Sequence, residues 1–449
     1  MRTRVRTVGY HHDSGATTTP SAGPTASGPG TDQAMTTAPQ RPNTNRPSLG
    51  IPPELTARES GPFDPPELIS RVAGRGPVHR LTLADGEPMW LITGHDEARA
   101  ALADPRLSSD RFRSERVVAK LPERFRDRAA DPRRRAGNFV TLDPPAHTRY
   151  RKLLTGQFTV RRMRQLAPRV EGVVTERIDA MVAAGPTADL VTAFALPVPS
   201  LVICELLGVD DADRHEFQER SAKLVRLDTP LDEVARVADG LRAFMVDLVR
   251  RKRAEPTDDV LSGLIGADPS LTDDELVGIA NLLLVAGHET TANMLALGTF
   301  ALLERPDQLA RLRADPALVD GAVEELLRHL SIIHLGVLRL TLEEVGVAGE
   351  VIPPDSDVLI SVIAPNRDPR RFDRPDELDV TRPRGPHLAF GHGVHQCLGQ
   401  QLARVELAVG FTELLRRLPD LRLAVPAEQV PLRCDMIVYG VHSLPVAWG

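Results

Sequence analysis

The apolar positions of this chain recur mostly at the spacing of helices. From about residue 95 to residue 330 they lie three or four apart, which predicts a run of amphipathic helices. Two of these are expected to be long, over 158–183 and over 231–254. Two short apolar runs within 80–93 flank an Asp-Gly pair, and this pattern predicts a β-hairpin.

The longest predicted helix covers residues 272–304. Thr272 is a good N-cap, and three acidic residues follow it in the first turn. The middle of the segment, IANLLLVAG, is apolar on most faces, which is typical of a helix buried in the core of a large protein. Pro306 is expected to end it.

Beyond residue 336 the periodicity changes. Short strands are predicted over 337–342 and 358–363, and the segment 364–389, rich in Pro, Arg and Asp, is expected to form an ordered coil. The pattern therefore indicates a mainly α protein with a smaller β region.

Residues 1–48 are rich in Thr, Pro, Gly, Ser and Ala and lack an apolar segment. Such a composition buries too little apolar surface to offset the entropy of ordering, so we expect a disordered N-terminal extension followed by a single domain over 49–449. No run of 18 apolar residues occurs and no secretory signal precedes the domain, which predicts a cytoplasmic protein.

The composition narrows the function classes. The 449 residues are 42% hydrophobic and 26% charged, with a net charge of −6, so nothing favours binding to nucleic acid. The cysteines are Cys204, Cys397 and Cys434. Three cysteines this far apart argue against a disulfide framework and cannot ligate the usual four-cysteine iron–sulfur cluster.

One cysteine lies in a glycine-rich loop, FGHGVHQCLG, over 390–399. A dinucleotide fingerprint is disfavoured because Gln396 stands where a third glycine is needed. A zinc site of His392, His395 and Cys397 lacks a fourth ligand. A free cysteine that packs as a small hydrophobe is a third interpretation.

A heme thiolate is the fourth interpretation, and it explains the surroundings of Cys397. Glycines allow a flat macrocycle to approach the backbone closely. An apolar stripe follows at helical spacing, formed by Leu398, Leu402, Val405 and Val409. The N-terminal amides of that helix would stabilise the thiolate.

This loop resembles the heme-binding loop of the cytochrome P-450 family, with matches at Phe390, Gly391, Gly393, Cys397 and Gly399. The resemblance extends over roughly residues 50–449. It implies a long central helix buried over the heme, with the cysteine loop beneath it.

The segment AGHETT (286–291) lies in the middle of the long helix. Buried polar groups need hydrogen-bond partners. The alternative to a functional role is therefore a kinked helix in which the threonine hydroxyl is hydrogen-bonded. The segment resembles the oxygen-activating motif of the family. That resemblance implies that Ala286 and Gly287 flank the oxygen pocket, that Thr290 hydrogen-bonds oxygen, and that Glu289 delivers protons.

Glu325 and Arg328 stand three apart in EELLR, which alone is typical of a surface ion pair. In this place it resembles the ExxR motif of the family. The resemblance implies a structural lock with an arginine of the later coil, for which Arg382 is the candidate.

DPPAHTRYRKLL (143–154) resembles the helix of the family that contacts the heme propionates. His147 and Arg151 share one helix face, and Arg339 and His395 match two further propionate contacts. Carboxylates such as the heme propionates bind well to basic donors of this kind. The alternative interpretation is that these residues are basic side chains exposed to solvent.

The family resemblance implies a heme b monooxygenase that uses O2 and in which thiolate ligation favours O–O cleavage. We expect hydroxylation or epoxidation of a bulky hydrophobic molecule, such as a polyketide, macrolide or related secondary metabolite. The chain has no flavin module, so a ferredoxin and its reductase are expected to supply electrons, with Arg404 a candidate docking residue. We expect a monomer without nucleic-acid or membrane partners.

By the same resemblance, the substrate contacts come from 105–140, from the region near 220–232, and from segments of the long helix and the C-terminal third. The candidate pocket residues are Leu283, Ile333, His334, Val337 and Ile437. His334 stands where relatives often carry an apolar residue, which bears on the choice of substrate.

Two other functions remain open. Residues 110–135 carry ten Arg and Lys against five Asp and Glu, a local net charge of +5. This stretch favours either a solvated loop or attraction of an anion, as in an NADH-dependent nitric oxide reductase of the same fold. A non-catalytic heme protein is the second alternative, and the intact Glu289–Thr290 pair argues against it.

Overall fold

The structure is a computed structural model in which residues 53–83, 86–121, 123–210, 213 and 229–449 are described. All of them belong to one compact unit. The extension predicted over residues 1–48 and most of the predicted substrate region near 220–232 lie outside the described residues.

Helices dominate the described part of the chain, as the periodicity predicts. They are α1 Glu67–Ala73, α2 His95–Ala103, α3 Glu115–Ala119, α4 Glu123–Ala130, α5 Pro132–Arg135, α6 Ala146–Gln157, α7 Val160–Gln165, α8 Ala167–Ala184, α9 Pro197–Leu207, α10 Leu231–Ala254, α11 Val260–Ala267, α12 Asp273–Leu303, α13 Pro306–Ala314, α14 Val319–Leu330, α15 Ile363–Asn366 and α16 Gln400–Arg417. No helix in these ranges is both long enough and apolar enough to cross a membrane.

The central helix α12 forms where the sequence predicts it. The Thr272 hydroxyl accepts a hydrogen bond from the Glu275 backbone N–H at 3.2 Å, and the Glu275 carboxylate accepts one from the Thr272 N–H at 2.8 Å. This capping box satisfies two backbone donors that the first turn would otherwise leave free. Most side chains of α12 are buried in the largest hydrophobic cluster, against α9, α10, α14 and α16.

The single long helix predicted over 158–183 is wrong, because the structure contains two helices there. α7 ends at Gln165 and α8 begins at Ala167, with Pro168 in its first turn. A proline lacks the N–H that an uninterrupted helix would need at this position, although it is well tolerated in a first turn. The apolar spacing continues across this break, so periodicity alone does not reveal it.

The strands form a small β region. They are β1 Val78–Thr82, β2 Pro88–Ile92, β3 Leu107–Ser108, β4 Thr187–Asp189, β5 Val337–Thr341, β6 Val345–Val347, β7 Glu350–Ile352, β8 Asp357–Ile360, β9 Arg422–Leu423 and β10 Pro445–Ala447. The main sheet has the order β1-β2-β8-β5-β3, with β2 and β8 parallel and the other pairs antiparallel. The hairpin predicted over 80–93 is formed by β1 and β2.

The cysteine loop over 390–399 connects the long coil after α15 to α16. Its turn closes through the Cys397 N–H, which donates to the Phe390 carbonyl oxygen at 2.9 Å. Gly393 has a φ of +76°, and a Cβ there would lie 2.7 Å from the Leu102 carbonyl oxygen of α2. This glycine therefore allows the loop to pack on α2, which fixes the position of the cysteine.

Candidate active site

A cavity of about 500 Å³ lies between α12 and the cysteine loop. Residues from distant parts of the sequence meet at its wall. Of the predicted site residues, it is lined by Leu283, Ala286, Gly287, Thr290, Ile333, Val337, His147, Arg151, Arg339, Phe390, His395, Cys397 and Gly399.

Cys397 lies at the wall of the cavity, just before α16. Burial raises the pKa of its thiol, against the backbone N–H groups of Gly399 and Gln400 and the positive charges of Arg151 and Arg404. The amides and the two cations favour a thiolate, whereas burial favours the neutral thiol, and a metal cation bound at the sulfur would shift this balance towards the thiolate. The arrangement suits a metal thiolate better than a free cysteine.

The glycines of the loop leave open space beside the sulfur. Gly391 and Gly399 both line the cavity, and a Cβ at either position would meet no atom within 4 Å. Gly391 also has a φ of +68°, which favours glycine. The open face therefore fits a flat group lying against the loop.

Basic and imidazole groups converge on one end of the cavity. Burial holds the pKa of Arg339 at about 10, and burial also lowers the pKa of Arg151. Neither arginine takes part in an ion pair within the described part of the chain. Both ring nitrogens of His147 are buried without a hydrogen-bond partner, and its ring centroid lies 4.2 Å from that of His395. Unsatisfied donors and desolvated cations of this kind fit the carboxylates of a porphyrin.

Sequence reasoning missed the residue that holds His395. The Ser109 hydroxyl lies 2.9 Å from His395 Nε2, and the Ser109 N–H donates to Asp143 at 2.9 Å. Burial, together with His147 and Arg339, lowers the pKa of His395 to about 3, so the ring is neutral. Ser109 precedes the pattern that drew attention to His147 by almost forty positions, and no local signal marks it.

Glu289 and Thr290 face different surroundings although they are chain neighbours. Thr290 lines the cavity, and its hydroxyl donates to the Ala286 carbonyl oxygen at 2.8 Å. Glu289 is absent from the cavity wall, is buried, and accepts from Arg433 Nη1 at 2.9 Å. Successive residues of a helix point about 100° apart, and here this rotation turns Glu289 away from the cavity that Thr290 lines. Arg433 is a partner that the sequence motif does not reveal.

The predicted lock is formed by buried, charge-assisted hydrogen bonds. Arg328 donates to the Glu325 carboxylate at 2.7 and 2.8 Å, and Arg382 Nε donates to it at 3.1 Å. Arg328 also donates to the carbonyl oxygens of Asn366 and Pro375. The cluster therefore fastens α14 to the coil that leads to the cysteine loop, and it is not the surface pair that its spacing alone suggests.

Two of the candidate pocket residues do not line the cavity. His334 is buried, and its Nε2 lies 2.5 Å from the Met436 carbonyl oxygen. Burial lowers the pKa of His334 to about 4, so it is a neutral ring that donates to the C-terminal segment. Ile437 is 40% exposed and is not among the residues that line the cavity. The structure therefore does not bring His334 and Ile437 to the cavity wall, and their contact with a substrate stays a prediction.

Several apolar lining residues come from elements that carry no recognised motif. They are Phe139, Phe158, Ile203, Leu282, Met294, Ile332 and Leu338. Ile203 belongs to α9 and packs against Gly287, where a Cβ would lie 3.1 Å from Ile203 Cδ1. Apolar residues at helical spacing are usually core, so their role in the pocket emerges only in three dimensions.

The basic stretch over 110–135 is largely paired with carboxylates. Arg111 and Arg116 bond Asp357 at 2.8 and 2.9 Å. Arg135 bonds Asp110 at 2.5 Å, and Arg134 bonds Asp239 at 2.8 Å. These cations therefore hold the segment to the rest of the structure.

A zinc site in the loop is not formed. Among the described residues, no group of three or more His, Cys, Asp and Glu side chains could hold a metal ion. Because a structural zinc ion needs several such ligands at once, His392, His395 and Cys397 do not provide one.

Comparison with known proteins agrees with this geometry. The family model described as cytochrome P-450 matches residues 73–433. A curated relative, cytochrome P-450 105C1 from a Streptomyces species, is 52% identical over 88% of this chain and 97% of its own length.

Solved structures with the same fold are also similar in sequence. The crystal structure of Rif16 in complex with R-L is 58% identical, with a TM-score of 0.79 over 89% of this chain and all of that chain. CYP105P1 in complex with filipin I is 42% identical, with a TM-score of 0.80 over 88% of this chain and 98% of that chain.

Proposed function

Because the chain belongs to the cytochrome P-450 family of heme monooxygenases, we propose that Cys397 is its iron ligand and that it inserts one oxygen atom from O2 into a bulky hydrophobic substrate. The observation that carries this proposal is the position of Cys397 at the wall of the cavity, beside two glycines that leave a flat face open. Bound heme would supply oxygen activation, which thiolate ligation promotes.

We propose that the heme is heme b, held without a covalent link. The lining residues include no second cysteine, and the C-x-x-C-H motif for covalent attachment is absent from the sequence. His147, Arg151, Arg339 and His395 would bind its carboxylates, because these side chains converge at one end of the cavity. The positive charges of Arg151 and Arg339 and the unpaired ring nitrogens of His147 favour an anionic group there.

Thr290 and Glu289 would have separate tasks in proton delivery. Thr290 lines the cavity, so its hydroxyl can hold oxygen or water near the reacting atoms. Glu289 is tied to Arg433 and must turn away from that cation to exchange a proton with the cavity. Ala286 and Gly287 flank the same part of the wall, where small side chains leave room for a diatomic molecule.

The substrate is proposed to be a polyketide, macrolide or related secondary metabolite, which is hydroxylated or epoxidised. The residues predicted for the substrate end, Leu283, Ile333 and Val337, are apolar, and further Phe, Leu, Ile and Met side chains surround them. An apolar cavity of this size suits a bulky hydrophobic molecule. The similar protein CYP105P1 is known in complex with filipin I.

Members of this family receive electrons from redox partners, and we propose a ferredoxin and its reductase here. Arg404, the docking residue suggested by the sequence, donates to Glu324 at 2.6 Å, so part of its charge is already engaged. We further propose that the protein is a monomer and that it is cytoplasmic. Its three cysteines are free, which indicates a reducing compartment.

The nitric oxide reductase alternative loses its sequence support. It depended on the basic stretch over 110–135, whose arginines bond Asp357, Asp110 and Asp239. Cations that already have carboxylate partners attract an anionic nucleotide weakly. A non-catalytic heme protein is disfavoured by the hydroxyl of Thr290 at the cavity wall.

The test compares the full chain with Cys397→Ser after reduction with dithionite and addition of carbon monoxide. We expect a strongly red-shifted Soret band in the wild type that is lost in the variant, because serine provides no thiolate. Cys204→Ser is the matched control, since Cys204 is buried away from the cavity and should leave the band unchanged. A band typical of histidine ligation that survives Cys397→Ser would contradict the proposal.

A further inference from the structure

Ser109 lies where the parts of the chain that would bind the heme carboxylates meet. It directly follows β3, which pairs with β5, the strand of Arg339. Its N–H donates to the Asp143 carboxylate at 2.9 Å, and Asp143 lies just before α6, which carries two of the carboxylate-binding residues. Its hydroxyl lies 2.9 Å from His395 Nε2 in the cysteine loop. Ser109 is therefore held in a fixed position relative to all three elements.

The surroundings of the Ser109 hydroxyl decide which atom donates in its hydrogen bond to His395. Ser109 is 9% exposed, and within the described part of the chain its hydroxyl hydrogen-bonds only His395 Nε2. If the ring nitrogen donated, the hydroxyl hydrogen would be buried without an acceptor, which costs free energy. If the hydroxyl donates, both atoms are satisfied. Ser109 therefore donates to Nε2, which must carry a lone pair.

The other ring nitrogen of His395 then carries the proton. In a neutral imidazole one nitrogen donates and the other accepts, so a lone pair on Nε2 places the hydrogen on Nδ1. His147 does not take this hydrogen, although its ring centroid lies 4.2 Å away, because neither of its ring nitrogens has a hydrogen-bond partner among the described residues. His395 lines the cavity. Its Nδ1–H is therefore left for a group that binds there.

We infer that Ser109 is a positioning residue, which selects the His395 tautomer that donates from Nδ1 to a carboxylate of the bound heme. This inference rests on the proposed heme monooxygenase function. A carboxylate only accepts hydrogen bonds, so the opposite tautomer would turn a lone pair towards it and be repelled. Where an imidazole binds a metal, the hydrogen bond on its second nitrogen is worth about 10–100-fold in affinity. A ring already in the donating form binds without the cost of reorganisation.

The adjacent Ser108 has a different task, although it is also buried. Its hydroxyl bonds the Asp143 carboxylate and the backbone of Asp110, and makes no hydrogen bond to His395. Ser108 thus fastens the end of β3 to the start of α6, whereas Ser109 also contacts the imidazole ring. The two serines provide a matched pair, because either alanine variant removes a buried hydroxyl but only Ser109→Ala frees the ring.

The first test observes the tautomer itself. Nitrogen NMR spectra of the heme-loaded full chain, isotope-labelled at histidine and in its diamagnetic ferrous carbon monoxide form, distinguish a protonated from an unprotonated ring nitrogen. His395, assigned by the signals missing in His395→Phe, should carry its proton on Nδ1. Ser109→Ala should move the Nε2 signal to that of an unbonded acceptor, and Ser109→Thr should leave it in place. A proton on Nε2 in the wild type, or an unchanged signal in Ser109→Ala, would overturn the inference.

The second test measures how firmly the heme is held. Transfer of heme from the full chain to excess apomyoglobin should be about tenfold faster in Ser109→Ala than in the wild type. The effect is at the lower end of the range because three other residues still bind the carboxylates. Ser109→Thr retains the hydroxyl and should restore the wild-type rate, and Ser108→Ala should change it much less. Equal acceleration in the two alanine variants would contradict the inference, since the whole segment rather than the His395 tautomer would then retain the heme.

A double-mutant cycle shows whether Ser109 acts through the ring. His395→Phe keeps a ring but removes both nitrogens, so Ser109→Ala should not accelerate heme transfer further in that background. If Ser109→Ala accelerates transfer by the same factor in both backgrounds, its effect does not pass through His395 and the inference is wrong.

The carbon monoxide band separates this inference from the proposed function. Every variant in these tests retains Cys397, so each should show the red-shifted thiolate band. A normal band together with wild-type heme transfer in Ser109→Ala would overturn the role of Ser109 and leave the monooxygenase function intact. A wild type without the band would overturn both, because no heme carboxylate would then face His395.

Discussion

At the scale of single residues, the pair formed by Glu289 and Arg433 is a buried contact whose loss should be costly. Both side chains are at least nine-tenths buried, and Nη1 lies 2.9 Å from Oε2. Removing one partner leaves the other charge buried without compensation. Arg433→Met should therefore lower the free energy of unfolding by about 3–5 kcal/mol.

Urea melts of Arg433→Met and of the double variant Glu289→Gln/Arg433→Met would test this expectation. The double variant should recover most of the loss, because no unpaired charge remains. Equal losses in the two variants would show that packing of the arginine, rather than its charge, stabilises this region.

A second residue-scale prediction concerns the contact between Gly287 and Ile203. A Cβ at residue 287 would lie 3.1 Å from Ile203 Cδ1, and Ile203 is packed in the core with 3% exposure. Gly287→Ala should push this side chain and narrow the cavity, weakening binding of a bulky azole by about threefold to tenfold, or up to about 1.4 kcal/mol. Spectral titration measures the dissociation constant.

Ile203→Val provides the matched test of that mechanism, because it shortens the side chain that a new Cβ would meet. Combined with Gly287→Ala, it should restore much of the affinity. If affinity stays low in the double variant, the effect of Gly287→Ala comes from the helix backbone and not from this contact.

At the scale of elements, α12 is approached very closely by the segment around α5. A Cβ at Gly278 would collide with the backbone carbonyl oxygen of Ala136, and Gly137 has a φ of +73° against the same helix. Backbone atoms cannot move aside as the end of a flexible side chain can. Gly278→Ala should therefore destabilise the protein by about 3 kcal/mol through overpacking.

Gly172→Ala in α8 is the control for this element-scale prediction. A Cβ there would meet no atom within 4 Å, so alanine should stabilise the helix by about 0.5–1 kcal/mol. Thermal melts of both variants give the comparison. A neutral Gly278→Ala would mean that α5 can move away from α12 at little cost.

At the scale of the whole molecule, the cluster of Glu324, His387 and Arg404 links α14, the coil and α16. Burial opposes ionisation of Glu324, but the bonds from His387 and Arg404 outweigh it and lower its pKa to about 2. A carboxyl whose pKa is depressed by folding stabilises the protein above its unfolded pKa of 4.5. That stabilisation is lost as the pH falls from about 4.5 towards 2.

Below about pH 4.5, the free energy of unfolding should therefore fall less steeply with decreasing pH in Glu324→Gln than in the wild type. Denaturant melts between pH 6 and the acid limit of solubility measure this difference. Glu413→Gln is a useful control, because Glu413 bonds only a mostly exposed Arg416. Parallel acid slopes in wild type and Glu324→Gln would exclude a major contribution from this cluster.

The sequence by itself determined the elements and motifs whose signals are local. The capping box at Thr272, the apolar length of α12 and the glycines around Cys397 each act on neighbouring backbone, so their structural consequences can be read without a fold. The break between α7 and α8 was not predicted, because the apolar spacing continues across a proline that belongs to the first turn of a new helix.

Only the tertiary structure decided which side chains face the cavity and what partners they have. Arg433 reaches Glu289 from 144 positions away, and Ser109 reaches His395 from 286 positions away. His334 turns from the cavity to the Met436 carbonyl, while Glu406 turns towards it. Such directions depend on how helices pack, since a helix position fixes the angle of a side chain but not the neighbour it meets.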